Sequence, residues 1–364
     1  MERKSPTPSP AGTPIDRPRR RRGVWKRVVL LLLFLGFTFF AVSQFTNART
    51  FGLTMGSGVW YWGLVSVAIF AAYFYLFAML YRIGLAIVDI QTTTRHMVPV
   101  LLGSIFVNTV VPIGSAAGAA VFVEDTIERG QSGARTAAGV VLVLAVDLAT
   151  SVPFIAAGIA FLAAQGALEA YYWAVSLLFL AFIGLMVAGL WFGKTRESRL
   201  HSLLGFFQRV INWVGRLVKQ PDLVSNAAVS KSAGQFSAAA AAMWRRPGLL
   251  VKALLLGLAM HAVNEVGLYT LFLTYHERVG LGALTAGMAM SIVFYVITIT
   301  PQGAGAVEGV MSLLFTSMGI ASETAIVVAI NYRVLNIWFP LALGYFCVRR
   351  MKVFQKTGPA KRPA

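Results

Sequence analysis

One apolar segment near the C-terminal end of the chain contains a break that an ordinary membrane-spanning helix would not tolerate. Residues 281–300 and 310–320 are almost entirely apolar, and between them the chain reads TPQGAGAVEG. The returning arm, residues 306–318, has about 13 residues, which at about 1.5 Å per residue is shorter than the roughly 30 Å hydrocarbon core of a bilayer. Residues 281–320 are therefore predicted to form a re-entrant helical hairpin.

The break itself carries polar and backbone groups that need partners. Pro301, Gly303 and Gly305 free backbone groups, and at membrane depth such groups are tolerated only where the chain is buried in protein or lines a wet cavity. Gln302 lies among them, and Glu308 falls in the first turn of the returning helix, where the helix dipole favours a carboxylate. The tip of this hairpin is therefore a candidate site.

An earlier segment has the same organisation. Residues 97–111 are apolar but short, Asn108, Pro112 and Gly114 interrupt them, and an apolar arm resumes at residues 115–123. We predict a second re-entrant hairpin here.

Composition places the whole chain in a membrane. Apolar residues make up 57% of it and charged residues only 13%, with a mean hydropathy of +0.70, whereas soluble domains carry roughly 25% charged residues. We expect an all-α polytopic membrane protein with about six full spans and two re-entrant helical hairpins. The full spans are predicted at residues 28–45, 59–81, 136–164, 171–192, 249–275 and 324–346.

The positive charge follows the predicted topology. The net charge is +18, and 29 of the 32 Lys and Arg residues fall in blocks that one face of the membrane can collect. This placement argues against nucleic acid as a partner and sets both termini in the cytoplasm. The predicted organisation is a disordered basic tail at residues 1–24, a single transmembrane domain at residues 25–350 with cytoplasmic amphipathic helices at about 198–246, and a basic tail at residues 351–364.

A weak internal repeat supports this organisation. At an offset of about 188 residues, Pro112 and Gly114 fall opposite Pro301 and Gly303. The repeat halves are about 59–193 and 249–346, each with a span, a hairpin and a span, in opposite orientations. Inverted repeats built around broken helices are how many secondary transporters alternate access to a midplane site.

Ionisable residues at membrane depth cost about 2.5–3.5 kcal/mol each on insertion scales and are functional candidates by default. They are Asp147, Glu265, Glu308 and Arg333, with His261 beside them. Two pairings are open: Asp147 with Arg333 across the repeat, or Glu308 with Arg333. Either pair could bind substrate or simply lock the helices together.

Other chemistries find little support. His261 and Glu265 have metal-binding spacing but no further His or Cys ligand nearby, so no metal is expected. The glycines of PQGAGAVEG follow no strand and lack the Lys-Ser/Thr ending of a phosphate loop. No nucleophilic triad stands out, so we expect neither catalytic residues nor a cofactor.

Pro301, Gly303, Gly305 and Glu308 form the pattern P-x-G-x-G-x-x-E, which resembles the lysylphosphatidylglycerol synthase transmembrane-region family. This is the flippase-like membrane domain found at the N-terminus of MprF proteins and alone in many bacterial and archaeal chains. Asn108 and Pro112 are similar to its earlier N-x-x-x-P motif. The soluble aminoacyl transferase domain of MprF is absent, so the resemblance does not imply synthesis of lysyl-lipid.

The leading functional expectation is a flippase that moves a phospholipid or lipid-linked headgroup between leaflets. The expected partners are membrane lipids, either anionic or aminoacylated phospholipid or a lipid-linked sugar, with a homo-oligomer or a partner glycosyltransferase as further options. The alternatives are a lipid-binding accessory protein of a glycosyltransferase or cell-envelope pathway, and an intramembrane transferase. The expected location is a bacterial cytoplasmic membrane.

Overall fold

A computed structural model of the chain describes residues 56–110, 116–166, 226–298 and 301–350, together with positions 177, 181 and 184. Within the four continuous ranges every regular element is helical. The α-helices are α1 Trp60–Ile87, α2 Thr94–Val110, α3 Ala116–Glu128, α4 Gly133–Ala164, α5 Asn226–Arg245, α6 Pro247–Thr274, α7 Leu281–Ile297, α8 Ala306–Ser317, α9 Ser322–Arg333 and α10 Phe339–Arg350. A 3-10 turn, Pro301–Gly303, precedes α8, and a π-helical segment, Val334–Trp338, joins α9 to α10.

Four helices are long and apolar enough to cross a membrane: α1, α4, α6 and the continuous run Ser322–Arg350. They coincide with four of the six predicted spans, and the chain is an integral membrane protein. The predicted span 28–45 lies outside the described residues, and of the predicted span 171–192 only positions 177, 181 and 184 are described. Both predicted tails and residues 198–225 of the predicted amphipathic region also lie outside the described residues, whereas α5 lies in the remainder of that region.

At each predicted hairpin the structure has a pair of short helices separated by a break. The first pair, α2 and α3, has 17 and 13 residues, and the second pair, α7 and α8, has 17 and 12. All four are shorter than a span that crosses the hydrocarbon core without tilt. Pro112 and Gly114 lie outside the described residues, so the first break is known only from its two flanking helices.

The two halves of the chain share one order of helices. The helices α1, α2, α3 and α4 correspond to α6, α7, α8 and the run Ser322–Arg350 at an offset of about 188 residues. Matched lengths are 28 and 28, 17 and 17, 13 and 12, and 32 and 29 residues. The correspondence seen in a few prolines and glycines therefore extends to the helices themselves.

The matched helices α1 and α6 pack against each other in opposite directions. The amide of Val59, just before α1, donates to the carbonyl of Thr274 at the end of α6, at 2.8 Å. Further along both helices, the Ser66 hydroxyl donates to Thr270 Oγ1 at 2.9 Å. At the other end Arg246, just before α6, donates to the carbonyl of Ala86 near the end of α1, at 2.7 Å. The two helices are therefore antiparallel along their whole length.

Each hairpin packs against the last span of the other half. In the contact of α4 with α7, a Cβ on Gly158 would lie 2.9 Å from the carbonyl oxygen of Thr285. In the contact of α10 with α2, a Cβ on Gly344 would lie 2.2 Å from the carbonyl oxygen of Leu102. Because these neighbours are backbone atoms, only glycine lets the helices approach this closely. This reciprocal packing of hairpins against spans holds the two halves together.

Candidate functional site

The turn of the second hairpin has a backbone that suits glycine. Gln302, Gly303 and Gly305 all have positive φ, at 56°, 66° and 85°. A Cβ on Gly303 would lie 2.8 Å from a methyl group of Val307 and 3.2 Å from the Cα of Tyr295. The turn is thus compact, and Gln302 occupies a left-handed conformation that is uncommon for a residue with a side chain.

Glu308 closes the turn on itself. It lies in the first turn of α8, and its Oε2 accepts the amide hydrogen of Gly305 at 2.8 Å. This is the backward half of a capping box, which satisfies one of the free amides at a helix start. Only 11% of the Glu308 side chain is exposed. The carboxylate therefore has a structural partner in the turn.

Arg333 joins the turn to the last span. Its Nε donates to Glu308 Oε1 at 2.8 Å, and its Nη2 donates to the carbonyl of Gln302. The Arg333 side chain is 5% exposed. Of the two pairings left open by the sequence, the structure contains Glu308 with Arg333. The pairing of Asp147 with Arg333 is not formed, because the turn places Glu308 against the guanidinium of Arg333.

The backbone of the last span is irregular immediately after Arg333. The π-helical segment Val334–Trp338 begins at the next residue, and Pro340 follows within the same run. Proline lacks an amide hydrogen and its ring crowds the preceding turn, so a local change of helical pitch is expected before it. Single π turns are rare and often occur at functional sites.

The tips of the two hairpins touch. Gln302 Nε2 donates to Thr109 Oγ1 of α2 at 3.0 Å, across 193 residues of sequence. Asn108 is the adjacent residue, and its Oδ1 is buried without a hydrogen-bond partner among the described residues. The predicted site residues Gln302 and Asn108 are therefore close to one another, at the point where the halves meet.

Asp147 and His261 form a second polar contact, between α4 and α6. His261 Nε2 lies 3.3 Å from Asp147 Oδ1 and 3.1 Å from the carbonyl oxygen of Asp147. The side chains are 8% and 26% exposed, respectively. Each residue lies near the middle of its helix. Asp147 thus takes His261, not Arg333, as its partner.

Glu265 makes a third contact. It lies one helical turn after His261 on α6, and its carboxylate is in hydrogen-bond contact with the hydroxyl of Thr285 on α7. Along α6 this contact is therefore next to the contact of His261 with Asp147. No group of three His, Cys, Asp or Glu side chains in the described part of the chain is placed to hold a metal ion.

Sequence reasoning found most of these residues but missed some of their partners. Thr109 and Thr285 were not singled out, because threonine is common in membrane helices and gives no distinct signal. The contact between Asn264 and Tyr332 was also missed. Asn264 Nδ2 donates to the hydroxyl of Tyr332 at 3.3 Å, and Tyr332 is the residue before Arg333. The available signal for Asn264 was its position directly before Glu265, a candidate site residue.

The Glu308–Arg333 pair is electrically neutral in this conformation and is satisfied by the turn. Arg333 can bind an anion, and Glu308 a cation, only when they separate from each other. The arrangement thus suits a site whose charges become available on a change of hairpin position. It presents no nucleophile beside a general base among these residues.

Comparison with known proteins identifies a family. The family model described as "Lysylphosphatidylglycerol synthase TM region" matches residues 25–344. No curated protein and no solved structure matches the chain.

Proposed function

Because the matched region takes in most of the chain, this protein belongs to the lysylphosphatidylglycerol synthase TM region family, and we propose that it moves a phospholipid or lipid-linked headgroup between membrane leaflets. The family assignment confirms the resemblance carried by Pro301, Gly303, Gly305 and Glu308. It supports a lipid-related membrane function, and transport is our inference from the geometry.

The observation that carries the transport proposal is the antiparallel packing of the matched helices α1 and α6. If the halves are structural repeats, antiparallel matched helices make them inverted repeats. The hairpin of each half packs against the last span of the other half, at Gly158 and at Gly344, so the two halves make equivalent contacts. Inverted repeats with short broken helices suit alternating access, because one half can rock against the other around a shared site.

The contact between hairpin tips is the proposed barrier. Gln302 and Thr109 join the tips through one side-chain hydrogen bond. Such a bond contributes about 0.5–1.5 kcal/mol, so it can break and reform on the timescale of a transport cycle. Separation of the tips would open a polar path next to Glu308 and Arg333.

The headgroup chemistry follows from the buried charges. A lipid phosphate would compete with Glu308 for the guanidinium of Arg333, which matches phosphate geometry with paired donors. The ammonium of an aminoacylated headgroup would take the carboxylate of Glu308, with Asp147 as a second anionic group. Transport then involves no chemical change, and we infer that the protein is not an enzyme.

We propose a bacterial cytoplasmic membrane as the location, and the distribution of Lys and Arg supports cytoplasmic termini.

A second candidate function has its own support. Because Glu308 and Arg333 are fully engaged in holding the turn, the protein could bind lipid without moving it, as an accessory subunit of a glycosyltransferase or envelope pathway. A homo-oligomer is compatible with either function.

A leaflet-exchange assay tests the proposal. Purified protein is reconstituted in vesicles with fluorescent anionic or aminoacylated lipids, and wild type is compared with folded Glu308→Gln. The matched control is Glu128→Gln, an exposed acid at the far end of α3. We expect exchange in wild type and in the control and its loss in Glu308→Gln, with every lipid chemically unchanged by mass spectrometry.

Two results would redirect the proposal. Absence of exchange in wild type under every gradient, with lipid still co-purifying, would favour the accessory function. A chemically altered lipid would indicate a transferase.

A further inference from the structure

The last span, Ser322–Arg350, contacts both hairpins, one on each side of an irregular segment. Its first part, α9, packs against α8 of the second hairpin and against α6. Its last part, α10, packs against α2 of the first hairpin. The π-helical segment Val334–Trp338 lies between the two parts. One continuous span therefore connects the two hairpins through this segment.

The contacts on the two sides of the segment are close. On the α9 side, Arg333 Nε donates to Glu308 Oε1 at 2.8 Å, and both side chains are buried. On the α10 side, a Cβ on Gly344 would lie 2.2 Å from the carbonyl oxygen of Leu102 on α2. Each part of the span is thus fixed to a different hairpin. The position of one part relative to the other depends on the segment that joins them.

The hydrogen bonding of the segment can change by one residue. The amide of Phe339 donates to the carbonyl of Val334, five residues back, whereas an α-helix would use the carbonyl of Leu335, four residues back. A change from π to α bonding alters the orientation of α10 relative to α9. The side chains of Val334, Trp338 and Phe339 are exposed. The segment can therefore rearrange with little displacement of the protein core.

The proline that follows the segment does not by itself account for it. Within one residue of the offset of about 188, Pro153 of α4 corresponds to Pro340 of the last span. The helix α4 nevertheless continues as an α-helix from Gly133 to Ala164. The π segment is thus particular to the span that holds Arg333, and π turns are rare and often occur at functional sites.

We propose that Val334–Trp338 is a hinge that couples the pair of Glu308 and Arg333 to the first hairpin. This rests on the transport function proposed above and deepens it, because it names the element that joins headgroup binding to hairpin movement. Arg333 directly precedes the segment, so its pair with Glu308 holds the start of the segment on the second hairpin. Loss of the pair frees the segment to change its hydrogen bonds.

The hinge divides the parts that move. On this proposal α9 moves with the second hairpin, and α10 moves with the first hairpin, in agreement with their packing. The two hairpins are joined at their tips, where Gln302 donates to Thr109 on α2. A rotation of α10 and α2 relative to α9 therefore breaks this contact, and the tips separate.

Distances between spin labels test the hinge without transport. In a Cys347→Ser background, labels are placed at positions 322 and 343, which are exposed residues of α9 and α10. The matched control labels are at positions 134 and 156, exposed residues of the uninterrupted helix α4. Each pair is about 30 Å apart at about 1.5 Å per residue, which pulsed electron paramagnetic resonance can measure.

The perturbation is Glu308→Gln/Arg333→Met, which removes the ion pair and leaves no unpaired charge. We expect the distribution of distances between positions 322 and 343 to shift or broaden in this variant. The distribution between positions 134 and 156 should stay as in the wild type.

Deletion of Val334 tests the coupling. A π turn contains one residue more than an α turn, so the deletion should restore α bonding in this span and keep the faces of α9 and α10. We expect the label distance to lose its response to Glu308→Gln/Arg333→Met and leaflet exchange to fall at least tenfold. The control is Val334→Ala, which keeps the chain length and changes only an exposed side chain.

The outcomes separate the hinge from the transport function. An unchanged distance between positions 322 and 343 after loss of the ion pair would overturn the hinge, whatever the exchange result. A folded deletion variant that exchanges lipid at the wild-type rate would also overturn it and leave transport intact. If the distance responds but the wild type shows no exchange, transport is refuted and the hinge stands. If the deletion variant does not fold, the label distances in the full-length chain decide.

Discussion

Removal of the Arg333 side chain should destabilise the protein far more than removal of an exposed arginine. In Arg333→Ala, Glu308 stays buried with a negative charge, and the carbonyl of Gln302 loses its donor. Breaking a buried ion pair by removing one partner costs about 3–5 kcal/mol. Because roughly 2–4 °C per kcal/mol applies to chains of about 150–250 residues and larger chains shift less, the melting temperature should fall by at most about 6–20 °C.

A double variant separates the structural role of the pair from its role in transport. In Glu308→Gln/Arg333→Met no unpaired charge remains, the glutamine oxygen can still accept from Gly305, and methionine replaces the aliphatic part of Arg333. Replacing a buried ion pair by uncharged residues of similar volume is often neutral or stabilising, although here the carbonyl of Gln302 still loses its donor. We expect the double variant to recover most of the stability lost by either single variant and yet to show no leaflet exchange.

The assay is thermal unfolding of the purified protein in detergent, alongside vesicle exchange, with Arg82→Ala as the exposed control on α1. If Arg333→Ala melts within 2 °C of the control, with a change of roughly 1 kcal/mol or less, the pair is not buried as the structure has it. If the stable double variant exchanges lipid at the wild-type rate, the pair serves only to hold the turn, and its place in transport is refuted.

Two further predictions concern helix contacts. Gly344→Ala should destabilise the protein by about 1–3 kcal/mol or more, because its Cβ would lie 2.2 Å from the carbonyl oxygen of Leu102. The control is Gly248→Ala, which should not destabilise it, because a Cβ there would have nothing within 4 Å. Thermal melts of both variants check this, and equal melting temperatures would contradict the close packing. Thr109→Cys with Gln302→Cys, made in a Cys347→Ser background that removes the one native cysteine, should stop exchange when a bifunctional thiol reagent joins the tips. Each single-cysteine variant treated with the same reagent is the control, and unchanged exchange in the cross-linked protein would show that the tips need not separate.

The positions of the membrane helices could be predicted because they depend on local properties of the sequence. Long apolar runs gave α1, α4, α6 and the last span, and helix-breaking residues located the turn at Pro301–Gly303. Helix ends were less predictable: α1 runs on to Ile87 past the exposed Arg82, where the sequence suggested an end at Tyr81. A single charge on the accessible face of a helix does not end it.

The side-chain pairings could not be predicted in the same way. Whether Arg333 meets Glu308 or Asp147 depends on the left-handed turn that brings Glu308 back towards Gly305, and on the π-helical segment after Arg333. The glycines and Pro340 mark where the backbone becomes irregular, but they do not show which side chains it brings together. The contact of Gln302 with Thr109 joins residues 193 positions apart and depends on how the halves pack. Such long-range contacts are fixed by tertiary structure alone.

The same two charges hold the turn and are the proposed headgroup ligands, and this has a mechanical consequence. The turn leaves the amide of Gly305 and the carbonyl of Gln302 without backbone partners, and lipid cannot bond to them. Glu308 accepts from this amide and Arg333 donates to this carbonyl. A phosphate that draws Arg333 away from Glu308 therefore also weakens the support of this backbone. Gln302, whose side chain joins the two hairpins, is part of that backbone. On the transport proposal, occupation of the charge site and separation of the hairpin tips are one event, because both depend on the same turn.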